Sequence, residues 1–265
     1  MKRTPLFYGQ LLFVLLVCAF MLVPVLMSLL AGLTRNYFQG VMASGMTLDW
    51  LNQVWTAYAD TIWLSLRLAF ACALCVTVIG VPAAYALVRM NNRFSRAFEE
   101  LMVLPVAMPG LASALALLLT YGQLGGFRSS WLFILVGHVI FTLPFLVRPV
   151  MAVMQRQHLP ILEEAAASLG AGPLRRFFSV VVPNSRAGIL AGVLMVVTLS
   201  LGEFNLTWML HTPMTKTLPV GLADSYASAR LEVASAYTVI FLLLIVPLLI
   251  ALQAVSNHLS RGDRR

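Results

Sequence analysis

Long apolar runs constrain this chain more than any other sequence feature. The first, from Leu6 to Leu30, is too long for the apolar part of a cleaved signal peptide and predicts a retained membrane span. Hydrophobic residues make up 60% of the 265 residues and charged residues 11%, a balance typical of membrane proteins. We therefore predict an all-α polytopic membrane protein forming one transmembrane domain over residues 1–265. Six spans are expected, over residues 6–30, 61–88, 100–121, 131–154, 187–210 and 233–257, with a core bundle over 61–257.

Prolines interrupt the third and fourth predicted spans. Pro105 and Pro109 fall in the third span, and Pro144 falls in the fourth. Each removes a helical hydrogen bond, which membrane helices tolerate where neighbouring helices or a watery cavity satisfy the freed carbonyl. The breaks favour a bundle that bends around a pathway. Kinking without a functional role is the alternative for each proline.

Basic residues are concentrated on one side of the predicted spans. Thirteen of the 18 Lys and Arg residues lie at the termini and in the second and fourth connections, if Arg148 near the end of the fourth span is counted there as a snorkelling residue. Four lie on the other side, and Arg67 lies within a span. The positive-inside rule then predicts that both termini and the loop of residues 155–186 are cytoplasmic. Membrane topology accounts for the net charge of +8, so no nucleic-acid partner is expected. The expected surroundings of the spans are membrane lipid.

Polar side chains within the spans are candidates for function, because a charge in a bilayer is costly. Glu203 is predicted to lie deep in the fifth span, where it either lines a pathway or makes a structural contact. Arg67 either snorkels to the outer surface or lines the same pathway. Asn205 is a further pathway candidate, or an interhelical contact. His138 is isolated and is expected to be a hydrogen-bonded interior residue.

Motifs of soluble catalysis are missing from the sequence. It has neither the Gly-x-x-x-x-Gly-Lys-[Ser/Thr] phosphate loop nor the His-Glu-x-x-His zinc motif, so no enzyme activity, cofactor or metal is expected. Cys72-x-x-Cys75 has the spacing of a metal pair, but without a second pair we expect these residues to pack in the core. A secondary transporter and an intramembrane enzyme using Glu203 and His138 remain as alternatives.

The longest polar stretch in the second half of the chain is Glu163–Pro183. It predicts a helix from about Leu159 to Leu169, a turn at Gly170–Pro173, and a second helix ending near Pro183. Glycine suits the residue after a helix end, and proline suits the first turn of the next helix.

This stretch resembles the EAA motif of the membrane-spanning subunits of bacterial ABC importers. Glu164-Ala165-Ala166 is followed after three residues by Gly170 and, after nine more, by Val-Val-Val-Pro183, with valine at the two aliphatic positions of the motif. Residues 80–89 (GVPAAYALVR) and 104–109 (LPVAMP) also resemble the family, so the likeness runs from about Thr61 to the C-terminus. It implies a type I importer permease in the bacterial inner membrane. Its implied contacts to an ATPase are Glu164, Ala165, Ala166, Gly170 and Pro183.

The resemblance also implies partners and a class of solute. Two separate ATPase subunits, a second permease subunit (self or homologue) and an outer solute-binding protein are expected. Residues 199–204 (LSLGEF) and 217–222 (TLPVGL) resemble the polyamine, phosphonate, ferric iron and sulfate branch. The first expected solute is 2-aminoethylphosphonate or another phosphonate, with polyamines (spermidine, putrescine), ferric iron and sulfate as alternatives. Glu203 would suit a cationic amine, and Arg67, if it lines the pathway, an anionic group.

Overall fold

Helices account for nearly all of the chain that the structure describes. This computed structural model describes residues 5–156 and 159–261. Its α-helices are α1 (Pro5–Gly32), α2 (Val41–Ser44), α3 (Asp49–Ala57), α4 (Ala59–Met90), α5 (Arg93–Ala107), α6 (Gly110–Tyr121), α7 (Gly125–Arg128), α8 (Trp131–Arg156), α9 (Leu159–Ser168), α10 (Pro173–Arg176), α11 (Val182–Asn184), α12 (Arg186–Gly202), α13 (Asn205–Leu210), α14 (Leu218–Ala227) and α15 (Leu231–Arg261). A 3₁₀ turn covers Tyr37–Gln39 and a π-helical segment covers Phe177–Val181.

Some residues used in the sequence predictions lie outside the described residues. They are Lys2, Arg3, Arg264 and Arg265 of the charge count, and Gln157 and His158 of the predicted cytoplasmic loop. The predicted orientation of the termini and the assignment of the whole chain to one domain stay predictions.

The described residues contain four helices that are each long and apolar enough to cross a membrane. These lie within α1, α4, α8 and α15. Two bent pairs also qualify if each is taken as one span. The first is α5 with α6, bent by 102°, and the second is the helical segment Pro173–Asn184 with α12, bent by 71°. The described part of the chain therefore has four to six candidate spans, in line with the six predicted.

One of the two expected breaks in the third predicted span is present, and the fifth predicted span has a break that was not expected. Pro105 lies inside α5, whereas the chain turns at Met108–Pro109, where both residues have extended backbones. The fifth span does not continue to Leu210, because α12 ends at Gly202 and Glu203 is extended, with φ −70° and ψ 123°. Glycine is a poor helix former, and the Glu203 side chain bonds to the next helix instead. Glu203 therefore lies at a helix break, which corrects the prediction of a continuous span.

The contacts divide the chain into two compact units. One comprises the chain up to Ala59 together with Gly221–Leu244, and the other comprises Asp60–Val220 together with the chain from Ile245 onward. Within the first unit, Trp50 Nε1 donates to Thr34 O at 3.0 Å, and Tyr37 N donates to a carboxylate oxygen of Glu232 at 3.0 Å. The candidate site lies entirely in the second unit.

Close packing of α12 against α8 forms the centre of the second unit. Gly188 and Gly192, one turn apart on α12, both face α8. A Cβ atom at Gly192 would lie 2.8 Å from Leu146 Cα, and one at Gly188 would lie 2.7 Å from Pro149 O. Small residues four apart let membrane helices approach this closely. This Gly-x-x-x-Gly pair was not predicted to be a packing site, although its spacing is visible in the sequence.

Replacing Gly192 with valine is therefore expected to force α8 and α12 apart. Overpacking of this kind costs about 1–3 kcal/mol, so the purified protein should unfold at a lower temperature in detergent. Gly9→Val is the matched control, because a Cβ at this helical glycine meets no atom within 4 Å. Equal unfolding temperatures for the two variants would contradict the close approach of α8 and α12.

Candidate functional site

The predicted polar loop is a helical hairpin, which we call the coupling loop (residues 159–184). Its first arm, α9, ends in a closed turn in which Gly170 N donates to Ala167 O at 2.9 Å and Ala171 N donates to Ala166 O at 3.0 Å. Gly170 has φ +83°, in the left-handed region that favours glycine. The second arm runs from Pro173 to Asn184 through the π-helical segment. The turn thus reverses the chain at the glycine that the motif specifies.

The residues predicted to contact an ATPase lie mainly on the surface of the coupling loop. Glu164, Ala165, Gly170 and Pro183 are exposed, and Ala166 is half-buried. Large apolar side chains are exposed on the same loop. They are Ile161, Leu162, Leu169, Leu174 and Phe178, with Leu169 89% exposed. Exposed apolar side chains are typical of surfaces that contact another protein or a membrane.

Glu163, which the sequence analysis placed just outside the motif, is the buried acidic residue of the loop. Its Oε1 accepts hydrogen bonds from Tyr85 Oη at 2.5 Å and from Arg89 Nη1 at 2.6 Å, both on α4. Adjacent residues on a helix point about 100° apart, so the Glu163-Glu164 pair could have signalled one buried and one exposed carboxylate. Which of the two is buried depends on α4, far away in the sequence.

Glu203 uses its carboxylate to hold the start of α13. Oε1 accepts from Leu206 N and Oε2 accepts from Thr207 N, both at 2.8 Å, and Oε2 also accepts from Thr207 Oγ1 at 2.7 Å. A carboxylate at a helix N-terminus satisfies N–H groups that have no partner within the helix. This is the structural contact that the sequence analysis kept as an alternative for Glu203.

A buried chain of hydrogen bonds leads from α12 and α8 to this carboxylate. His138 Nδ1 lies 2.8 Å from Ser200 Oγ, and His138 Nε2 lies 2.8 Å from Thr207 Oγ1. Because the Thr207 hydroxyl proton goes to Glu203, Nε2–H must donate to Thr207. In a neutral ring, Nδ1 then accepts from Ser200. His138 is thus the hydrogen-bonded interior residue expected, and it orients the hydroxyl that binds Glu203.

The breaks in two helix pairs meet at Glu203. A Cβ at Gly110, the first residue of α6, would lie 3.1 Å from Asn205 Cβ and 3.8 Å from Glu203 Oε1. A cavity of about 470 Å³ opens here between α5, α6, α8 and α13, and Glu203 is the one charged residue among the described residues that line it. The buried Ser113 Oγ, also on the lining, has no hydrogen-bond partner among the described residues. The cavity therefore combines an apolar wall with one carboxylate.

The other two pathway candidates are placed differently. Asn205 is exposed at the start of α13, beside the break. Arg67 is exposed on α4 and is not among the residues lining the Glu203 cavity. The structure therefore does not bring Arg67 and Glu203 together.

Comparison with known proteins identifies the family of this chain. Residues 76–261 match the family described as "Binding-protein-dependent transport system inner membrane component". The chain belongs to this family. The match includes the coupling loop and the Glu203 cavity, and it confirms the resemblance to ABC importer permeases.

Relatives of this permease differ in the solutes for which they are named. PhnV of Salmonella typhimurium, a permease protein to which 2-aminoethylphosphonate transport is ascribed, is 26% identical over 91% of each chain. The sulfate permease protein CysW of Synechocystis is 31% identical over 69% of this chain and 71% of its own length. The putrescine permease protein PotI of Escherichia coli is 29% identical over 80% and 77%.

Solved structures share the fold of the permease. A chain of a bacterial ABC transporter involved in alginate import superimposes with a TM-score of 0.71 at 13% identity, over 96% of this chain and 95% of that one. A chain of the MetNI methionine ABC transporter gives 0.62 at 16% identity, over 78% and 96%. The protein is therefore a multi-pass transport subunit of the bacterial inner membrane, and its family is one of permeases rather than enzymes.

Proposed function

We propose that this permease forms part of the path for a small solute carrying an ammonium group and is driven by two separate ATPase subunits. The coupling loop faces the cytoplasm and binds the ATPases, and a second permease subunit completes the path. A solute-binding protein delivers the solute from outside. 2-Aminoethylphosphonate is the first candidate solute and putrescine the second.

The surface of the coupling loop supports the ATPase contact. Glu164 and Ala165 are exposed on α9 and Gly170 is exposed in the turn after it, and the small residues permit close approach of another protein. Both arms also expose large apolar side chains, and burying such side chains contributes about 1.5–3 kcal/mol each. The positive-inside count supports a cytoplasmic location for the loop.

The cavity at Glu203 carries the proposal for the solute. Among the described residues, its lining has one carboxylate and no Lys or Arg, so it is suited to a cation rather than to sulfate or molybdate. Two of the named relatives, PhnV and PotI, are ascribed amine-containing solutes. Putrescine remains the second candidate because it has no anionic group. A phosphonate would need a cation, and Arg67 is exposed on α4 and is not among the described residues that line this cavity.

Broken helices suit a pathway that opens to alternate sides. The 102° bend between α5 and α6 meets the break between α12 and α13. Transporters use such discontinuous helices for solute sites, since the free helix ends provide polar groups within the membrane. Closure of the ATPases would move the coupling loop and, through α12, the break that carries Glu203.

Reconstitution of the complete complex tests the proposed solute. The permease, its partner permease, its ATPase and its binding protein would be purified and placed in liposomes. ATP hydrolysis would then be measured with 2-aminoethylphosphonate, putrescine, sulfate or molybdate. We expect stimulation by one of the two amines and none by the oxyanions. Stimulation by sulfate or molybdate alone would contradict the proposed solute class while preserving the ATPase coupling.

A further inference from the structure

We infer that Glu163 is the positioning residue that transmits movement of the coupling loop to α4, through a carboxylate clasp closed by Tyr85 and Arg89. This inference rests on the proposed function of the coupling loop. It assigns a role to a residue outside the EAA spacing, one that is buried rather than available to an ATPase.

The clasp joins three atoms in a tight triangle. Tyr85 Oη donates to Glu163 Oε1 at 2.5 Å, Arg89 Nη1 donates to the same oxygen at 2.6 Å, and Arg89 Nη1 also donates to Tyr85 Oη at 2.6 Å. The Glu163 side chain is only 7% exposed, although Leu162 and Glu164 beside it are exposed. Hydrogen bonds with an ionised partner are about twice as strong as neutral ones. The triangle thus forms a strong polar link between α9 and α4.

Both arms of the coupling loop converge on this triangle. Arg176, on α10 in the second arm, places Nη1 3.5 Å from Glu163 Oε1. The ring of Phe177, in the π-helical segment, packs edge-on against the Tyr85 ring at 5.4 Å between centroids. Tyr85 therefore contacts the first arm with its hydroxyl and the second arm with its ring. Because of this double contact, the hairpin should move with α4 as one body.

The clasp connects the coupling loop to the long helix α4. Tyr85 and Arg89 are one turn apart near the end of α4, a helix of 32 residues that continues through Pro82. Near the start of the same helix, Ser65 Oγ accepts from Leu218 N at 2.8 Å. Twenty residues of helix between Ser65 and Tyr85 correspond to about 30 Å, the thickness of the bilayer core. A displacement at Glu163 is thereby carried to contacts at the far side of the membrane.

The docking surface and the clasp use different faces of α9. Glu164 and Ala165 are exposed, whereas Glu163 is turned toward α4. Loss of the Glu163 charge should therefore preserve binding of the ATPase. It should reduce the number of solute molecules that are transported for each ATP hydrolysed. This separation distinguishes a transmitting residue from one that docks the ATPase.

The test is Glu163→Gln in the complete complex with its partner permease, ATPase and binding protein, reconstituted in liposomes. The isosteric amide keeps an acceptor oxygen for Tyr85 but removes the charge that pairs with Arg89. We expect an unchanged amount of ATPase copurifying with the permease and about a tenfold rise in ATP hydrolysed per molecule transported. Uptake would be measured with 2-aminoethylphosphonate and, in parallel, putrescine. Glu100→Gln, an exposed carboxylate on α5, is the control and should keep the wild-type ratio.

A second variant, Tyr85→Phe, tests the same link from the other side. It removes the hydroxyl but keeps the ring against Phe177, so the fold should be retained and the ratio should rise in the same direction. Because both variants break one cluster, the double variant should be no worse than Glu163→Gln alone.

Three results would overturn the inference. A wild-type ratio in Glu163→Gln would show that the clasp transmits nothing, and loss of the copurifying ATPase would show that Glu163 docks the ATPase. Additive effects in the double variant would show that the two residues act separately. If the unaltered complex imported sulfate or molybdate but neither amine, the proposed solute class would fail, and the ratio measured with that oxyanion would test the clasp in the same way.

Discussion

Replacing Gly170 with proline is expected to abolish ATP-driven uptake while leaving the permease inserted in the membrane. Gly170 has φ +83°, whereas proline is held near −65°, so the closed turn after α9 cannot form. Proline would also remove the bond from Gly170 N to Ala167 O. The two arms of the coupling loop would then separate, and the exposed residues of the motif would lose their common surface. Uptake into liposomes and copurification of the ATPase are the measurements.

A graded series at the same position tests whether the positive φ is the cause. Asparagine tolerates the left-handed conformation, whereas alanine there costs about 1–2 kcal/mol. No atom lies within 4 Å of a Cβ at Gly170, so packing does not confuse the comparison. Uptake should fall in the order Gly, Asn, Ala, Pro. Equal uptake by the Asn and Pro variants would show that the turn geometry is irrelevant to coupling.

Replacing Glu203 with alanine is expected to lower uptake about 100-fold, the largest effect of any change within the spans. Three donors lose their acceptor, namely Leu206 N, Thr207 N and Thr207 Oγ1. Hydrogen bonds to a charged group contribute about 1.5–3 kcal/mol each, and about 3 kcal/mol in total already corresponds to 100-fold. The variant also removes the one carboxylate of the cavity. Initial rates of uptake by the reconstituted complex would be compared with the thermal stability of the same preparation.

Glu232→Ala is the matched control for the Glu203 variant. Glu232 also accepts a backbone N–H, that of Tyr37 at 3.0 Å, but it lies in the other compact unit and is not part of the cavity lining. Its loss should change uptake less than threefold, the equivalent of about 0.6 kcal/mol. If Glu203→Ala and Glu232→Ala slowed uptake equally, Glu203 would have only a structural role.

The coupling loop shows which structural features could be predicted from residues close together in the sequence. Its two helices and the turn at Gly170 were predicted within a residue or two, because caps and turns are set by neighbours in the chain. The choice between Glu163 and Glu164 was not predictable in the same way. Glu163 is buried by Tyr85 and Arg89, which lie 78 and 74 positions away in the sequence. The residues near Glu163 contain no pattern that predicts packing of α4 against this side of α9.

The Glu203 region shows the same limit inside the membrane. The cost of an ionisable residue in an apolar span directed attention to Glu203, whose pathway role stays a prediction. The sequence placed it in a continuous helix, however, because most residues from there to Leu210 are apolar. The carboxylate satisfies the donors of α13 and thereby stabilises a break that hydrophobicity does not reveal. Arg67 was singled out for the same reason, an ionisable side chain within a predicted span, yet it is not among the described residues that line the cavity.

The sequence by itself determined the membrane class, the family and the outline of the coupling loop. Each depends on composition or on spacing within about 20 residues, where the backbone geometry of a helix relates residue numbers directly to positions. Only the tertiary structure decided which carboxylate closes the clasp and where the two broken helices meet. Those outcomes depend on how separate helices pack, and packing is set by the shapes of residues distant in the chain, such as Gly192 against Leu146.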